Sequence, residues 1–268
     1  MDLKVEDLNV SYDEKRILKD ISFNVKSGEI VTIIGPNGSG KSTLIKTISR
    51  YLKPRSGDIY LNQVNINRIH TKEIAKNLAV LPQVKAASSD IIIEELVSYG
   101  RFPHLKFGKR MSEDDKEVIA WALKKTGLFQ MRDRYVVTLS GGERQRAWIA
   151  MTLAQKPRML LLDEPTTFLD ICYQMETLEM IKELNKTLGI TVVMVLHDIN
   201  QAARYSDKMM VVHDGELKEY GEPCQIVSKE LLRNIFKIDA DIYEDKVNNC
   251  PYFIPKKNNG SADREVIR

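Results

Sequence analysis

EIVTIIGPNGSGKSTLIKTISRYL, residues 29–52, decides the fold. EIVTIIG carries a short continuous apolar run, the pattern of a strand buried on both faces. A glycine-rich loop follows, and KSTLIKTISRYL then reads as a helix. That order sets bare backbone N–H groups at a helix N-terminus, where the helix dipole also favours negative charge. Gly35, Pro36, Asn37, Gly38, Ser39, Gly40, Lys41 and Ser42 match G-x-x-x-x-G-K-[ST]. In this pattern the loop N–H groups cradle phosphate oxygens. Lys41 reaches the β- and γ-phosphates, and the Ser42 hydroxyl ligates Mg²⁺. Thr43, next in the helix, favours the α-phosphate.

Upstream, Leu3, Val5, Leu8 and Val10, then Ile21, Phe23 and Val25, follow an alternation of about two, which argues for half-buried antiparallel strands. Downstream, GDIYLN and LAVLP read as strands. From about Ile91 the pattern is helical. Ser112 with Asp115 makes a capping-box start and Gly127 a stop. The helix after Gly142 is followed by Pro157. Strands and helices then alternate again: RMLLLDE, a helix from Asp170 to Thr187 stopped by Gly189, ITVVMVL, and a short helix after His197. KMMVVHDGELKEY reads as a hairpin turning at Asp214-Gly215. A helix near Lys229 to Phe236 precedes the polar run KKNNGSADREVIR, read as frayed.

The expected fold class is therefore α/β, with a mostly parallel sheet, an N-terminal antiparallel β subdomain and an inserted α-helical subdomain. The expected division is one domain over 1–240, with a core at about 1–88 and 155–225, a helical insertion at about 89–154, and a C-terminal tail at 241–268. Ligands belong at the C-terminal ends of the parallel strands.

Two strand ends there carry chemistry. MLLLDEP, residues 159–165, closes an apolar strand with two carboxylates. Successive strand side chains point opposite ways, so Asp163 and Glu164 take different tasks. Asp163 suits the Mg²⁺ shell, and Glu164 suits the attacking water as base or positioner. His197 follows ITVVMVL directly and is placed to meet a γ-phosphate.

A second glycine-bearing helix start stands about a hundred residues after the first. In LSGGERQRAWIAM, residues 139–151, Ser140, Gly141 and Gly142 precede a helix, again the chemistry of a phosphate cradle.

Bulk composition bounds the partners. The 268 residues are 43% hydrophobic, enough for a sizeable core. A net charge of +3 is too small to point to nucleic acid or an anionic membrane as the main partner. Cys172, Cys224 and Cys250 are far apart and show no CxxC spacing, which suits a reducing cytosol. The N-terminus shows no apolar signal core, and no apolar run is long enough to span a bilayer.

Together these residues resemble the nucleotide-binding subunits of ATP-binding-cassette transporters, from about Lys4 to Phe236. LSGGE is the most specific element. Tyr12 looks like the adenine-stacking aromatic. Gln83, in LPQ, looks like the glutamine that contacts Mg²⁺ and signals to the membrane subunits. Phe168, Leu169 and Asp170 fill the loop after the Walker B strand, and His197 is the switch histidine. The resemblance implies ATP and Mg²⁺ as cofactors and a head-to-tail pair of subunits. Ser140, Gly141 and Gly142 of one copy then cap the ATP held by Gly35–Thr43 of the other. It also implies two permease subunits, an extracytoplasmic binding protein reached through them, no nucleic acid, and a peripheral place on the cytoplasmic face of the membrane.

YGRFPH, residues 99–104, and TTFLDICYQMETLE, residues 166–179, look like the cassettes of ferric-siderophore, haem and cobalamin importers, with the ferric-siderophore branch closest. YGRFPH lies where a permease would dock. Haem or cobalamin import, and a soluble cassette ATPase outside transport, are the alternatives. Arg144 follows LSGGE where LSGGQ-R is frequent, and Glu143 is acceptor-only where glutamine also donates. A modest effect on closure is expected.

Overall fold

The computed structural model describes residues 1–83, 90–105 and 110–256. Ser89, where the helical insertion was placed to begin, and the polar run from residue 257 onward lie outside the described residues.

The chain opens with β1 (Leu3–Tyr12) and β2 (Lys15–Val25), then β3 (Ile30–Ile34) and α1 (Lys41–Ile48). β4 (Ser56–Leu61), β5 (Val64–Asn65), α2 (Thr71–Asn77) and β6 (Leu78–Leu81) follow. The helical stretch holds α3 (Ile93–Ser98), α4 (Glu113–Lys125) and α5 (Gly141–Ala154), with a 3₁₀ turn over Tyr99–His104. Next come β7 (Met159–Asp163), α6 (Ile171–Leu188), β8 (Thr191–Val195), α7 (Ile199–Tyr205), β9 (Lys208–His213) and β10 (Glu216–Gly221). The described chain ends with α8 (Pro223–Ile226), α9 (Lys229–Asn234), β11 (Ala240–Asp245) and β12 (Cys250–Pro255).

β3, β7 and β8 are buried at every residue. They sit inside a six-stranded sheet of order β10-β9-β3-β8-β7-β6, parallel except for the β9–β10 hairpin. Side-chain parity splits the core in two. Ile30, Ile34, Leu160, Leu162, Val192 and Met194 pack with α3 to α7 on one face. Val31, Ile33, Met159, Leu161, Val193 and Val195 pack with α1 and the antiparallel sheet β2-β1-β4-β5 on the other. Each fully buried Leu, Ile or Val contributes roughly 1.5–3 kcal/mol, so this two-sided burial sets the architecture.

The N-terminal alternation skips a beat between Val5 and Leu8. Asp7 lies there at φ 46°, and the β1–β2 register shifts across the step. This bulge keeps Leu8 and Val10 on the buried side after one extra residue.

The capping box of α4 forms as expected: Ser112 Oγ accepts from Asp115 N, and Asp115 Oδ2 accepts from Ser112 N. The β9–β10 hairpin turns at Asp214 and Gly215, both at positive φ, the geometry of a type I′ turn. Two C-terminal details differ from the sequence reading. α9 stops at Asn234 rather than Phe236. Residues read as tail from 241 begin instead with the β11–β12 hairpin, pinned to α7 by two bonds. Phe253 N donates to Asn200 Oδ1 at 2.9 Å, and Asn200 Nδ2 donates to Phe253 O at 3.1 Å.

Candidate nucleotide site

The glycine loop lies between β3 and α1, at the C-terminal end of the buried sheet. Gly40 caps α1 at φ 107°, and a Cβ there would stand 2.6 Å from Leu18 Cδ2. Only glycine lets β2 close over the loop at that point. The β9–β10 hairpin braces the other side, with Gly215 N donating to Ser39 O at 3.2 Å.

Lys41 is 5% exposed and donates to Gly35 O at 2.8 Å and Pro36 O at 2.9 Å. Burial pushes its ammonium below the usual lysine range, while Glu164 and Asp163 pull it back up. A cation held so near two carboxylates, inside a ring of loop carbonyls, is set to meet a polyanion. Ser39 Oγ is buried in the same loop with no hydrogen-bond partner. An unpaired hydroxyl there, beside a helix start rich in N–H donors, fits a phosphate-bearing ligand.

Side-chain parity also explains the acidic pair. Asp163 continues the Met159–Leu161 face toward α1, and its Oδ1 accepts from Ser42 Oγ at 3.0 Å. Burial raises the Asp163 carboxyl above its usual range, with Glu164 adding to the rise and Ser42 opposing it. One hydroxyl and one carboxylate are hard oxygen donors of the kind Mg²⁺ takes when phosphates complete its shell. Among the described residues no cluster of three His, Cys, Asp or Glu side chains could hold a metal alone.

Glu164 leaves the strand with φ 53°, a left-handed conformation that turns its carboxylate away from that of Asp163. Three side chains meet it. Gln83 Nε2 donates to Oε2 at 2.7 Å, Thr167 Oγ1 donates to Oε2 at 2.9 Å, and His197 Nε2 lies 2.6 Å from Oε1. Gln83 comes from the end of β6 and His197 from the end of β8, so three neighbouring strand ends converge on one carboxylate.

The structure thus gathers Lys41, Ser42, Gln83, Asp163, Glu164 and His197. Tyr12, Ser140, Gly141, Gly142 and Asp170 make contacts elsewhere. Tyr12 ends β1, is 43% exposed, and pairs with Lys15 at the hairpin tip. Ser140 caps α5 in a box with Glu143: Ser140 N donates to Glu143 Oε2 at 2.8 Å, and Glu143 N donates to Ser140 Oγ at 3.3 Å. The Ser140 bonds hold the Glu143 carboxyl below its usual range. Gly141 and Gly142 lie against Leu169 and Tyr173, and a Cβ on Gly142 would run into the Tyr173 ring. Asp170 caps α6, accepting from Tyr173 N at 3.1 Å.

Sequence reading missed Thr167. Its signal was its place three residues after Glu164, just before a left-handed residue. It also took YGRFPH as one surface. Arg101 is buried, donating to Asp115 Oδ1 at 2.9 Å and Ala154 O at 2.7 Å. His104 Nε2 pairs with Gln155 O at 2.8 Å. Only Tyr99 and Phe102 of this segment are exposed aromatics, with ring centroids 5.0 Å apart.

A phosphate loop, an acidic strand end and a second glycine-bearing helix start on one α/β frame define an ATP-hydrolysing cassette. The chain belongs to the ABC transporter family, whose model matches residues 18–167. It is 44% identical over 249 residues to the iron(3+)-hydroxamate import ATP-binding protein FhuC of Bacillus subtilis, covering 93% of each chain. It is 44% identical over 255 residues to the petrobactin import ATP-binding protein FpuC of Bacillus anthracis, covering 95% of this chain and 93% of that one. Among solved structures it resembles a dimeric ATP-binding cassette in a post-hydrolysis state bound to ADP and Pi, with a TM-score of 0.71 and 31% identity. That match covers 82% of this chain and 98% of the other.

Proposed function

We propose that this chain is the ATP-hydrolysing subunit of an importer for iron(III)-siderophore complexes. The relatives named above act on hydroxamate and petrobactin cargo, and the likeness runs through more than nine-tenths of this chain. On the chain itself, one observation carries the catalytic reading: the Glu164 carboxylate, 8% exposed, held between Gln83, Thr167 and His197 beside the Lys41 loop.

The roles follow from the geometry. Gly35–Thr43 bind the triphosphate, with Lys41 as the buried cation. Ser42 and Asp163 hold Mg²⁺, and the Gln83 side-chain oxygen is available to it. Bound Mg²⁺ supplies charge neutralisation on the phosphates. Glu164 orients the attacking water and accepts its proton, and His197 holds the carboxylate from the solvent side. Tyr12 stacks on the base. Ser140, Gly141, Gly142 and Asp170 act on a second copy, closing over its nucleotide from the opposite side. In a two-fold pair both sites form from one interface. ATP touches both halves and favours closure; ADP lacks the bridging γ-phosphate and lets the pair open.

The permease meets this chain along a groove of about 810 Å³. Lys46, Arg50, Tyr51, Ile74 and Gln83 line it, with Gln155 at its edge tied to His104. The groove reaches Gln83 and, through it, Glu164, so docking and hydrolysis share a residue. Among the described residues no helix is long and apolar enough to cross a membrane. Attachment at the cytoplasmic face is then through the permease, with the binding protein on its far side.

The test is siderophore-bound iron uptake in a strain lacking this chain. Restoration by the native chain and not by Glu164→Gln, with co-purification of a permease, supports the reading. Uptake that is normal without the chain overturns the cargo assignment.

A further inference from the structure

We infer that Thr167 is a positioning residue for Glu164, fixing which carboxylate oxygen takes the proton of the attacking water. The inference rests on the catalytic reading of Glu164 given above.

A carboxylate has about four acceptor sites, two on each oxygen. Oε2 of Glu164 receives both the Gln83 amide at 2.7 Å and the Thr167 hydroxyl at 2.9 Å, so its two sites are filled. Among the described residues Oε1 is met by His197 alone, at 2.6 Å, which leaves it one acceptor site. The open lone pair therefore lies on Oε1, and Thr167 helps to keep it there.

The three partners are not equivalent. Gln83 and His197 arrive from the ends of β6 and β8, two separate strands. Thr167 sits on the turn that Glu164 itself begins, with Thr167 N donating weakly to Glu164 O at 3.4 Å. Glu164 at φ 53° and Phe168 at φ 66° bracket that turn, two non-glycine residues in left-handed geometry. Such geometry persists only where neighbouring contacts hold it. The Thr167 hydroxyl is one of those contacts, and it comes from the same turn as the carboxylate it meets.

The same turn runs on to the second glycine-bearing helix start. Phe168 is 96% exposed, Leu169 touches Gly141, and Asp170 begins α6. Thr167 thus lies between that exposed loop and the base.

The test compares Thr167→Val, which keeps shape and removes the hydroxyl, with Thr167→Ser, which keeps the hydroxyl. Thr167→Val is expected to lower kcat about tenfold or more with KM for MgATP changed by less than about twofold. Thr167→Ser is expected to stay within about twofold of the native chain in both. A nucleotide-free thermal unfolding cycle gives the second readout. The fall in Tm caused by Thr167→Val in the native chain should be at least halved, roughly, when Glu164→Ala is already present, because the partner is gone. An unchanged kcat in Thr167→Val, equal damage from Thr167→Ser, or the same fall in Tm with and without Glu164 overturns the inference. Glu164→Gln run alongside separates the two claims. Full hydrolysis by that variant removes the base assignment itself, whereas an inactive Glu164→Gln with a normal Thr167→Val removes Thr167 alone.

Discussion

His197 Nε2 stands 2.6 Å from Glu164 Oε1, yet the His197 side chain is 46% exposed and that of Glu164 only 8%. Adjacent parallel strands deliver the pair, since Asp163 is in register with Val195. The imidazole therefore covers the carboxylate on its solvent side and leaves the inner side to the phosphate loop.

Glu164→Gln keeps the shape but replaces one acceptor oxygen with an NH₂ donor and loses the charge that draws the water's proton. It is expected to bind MgATP, to pair with a second copy, and to lose at least about a hundredfold in turnover. Phosphate release measures this. Native turnover in the variant would take Glu164 out of the mechanism.

Lys41→Ala removes the buried cation from the loop and leaves its N–H dipoles and hydroxyls. The triphosphate then lacks its charge partner, and ATP affinity should fall by at least about tenfold. Nucleotide titration of the isolated chain checks this. An unchanged Kd would contradict it.

Arg101 and Asp115 form a buried pair inside the helical lobe, their side chains 10% and 11% exposed. Arg101→Met leaves the Asp115 carboxylate short of its guanidinium and should cost about 3–5 kcal/mol of stability. Burial pushes the Asp115 carboxyl up, but the Ser112 and Arg101 bonds outweigh it and hold it below the ordinary value of 3.8. A depressed carboxyl contributes stability that is complete above that ordinary value and is lost as pH falls through the folded one. Chemical denaturation at neutral pH and below pH 4 should therefore show the native chain losing part of its margin over Arg101→Met in acid. A margin that is constant with pH would place the effect in packing rather than charge.

The parallel core was legible because its strands are short apolar runs ending in functional residues, as in MLLLDE and ITVVMVLH. The starts of α1 and α5 were legible because glycines directly before a helical pattern mark its N-terminus. The C-terminal hairpin was not. β12 carries Pro251 and Pro255, and β11 ends in Glu244-Asp245, so neither shows strand alternation. Its hydrogen bonds to α7 run through the Asn200 side chain on a distant helix, which no local pattern announces. The burial of Arg101 was not legible for a similar reason. A basic residue between aromatics suggests a surface, and only the fold shows that Asp115, already engaged in its capping box, receives it. Glu143 was read as an acceptor-only side chain toward a partner; its carboxylate closes the α5 box, so the Ser140 backbone N–H is already committed within its own chain.

The central claim is that each nucleotide is shared by the Lys41 loop of one copy and Ser140 of another. Mixing two inactive chains tests it, one carrying Lys41→Ala and the other Ser140→Arg, both with Glu164→Gln to halt hydrolysis. If the site is shared, the mixed pair contains one intact site, built from the Ser140→Arg chain's loop and the Lys41→Ala chain's Ser140. The mixture should then trap labelled ATP that neither chain traps alone. Trapping no greater than the sum of the separate chains would contradict the account.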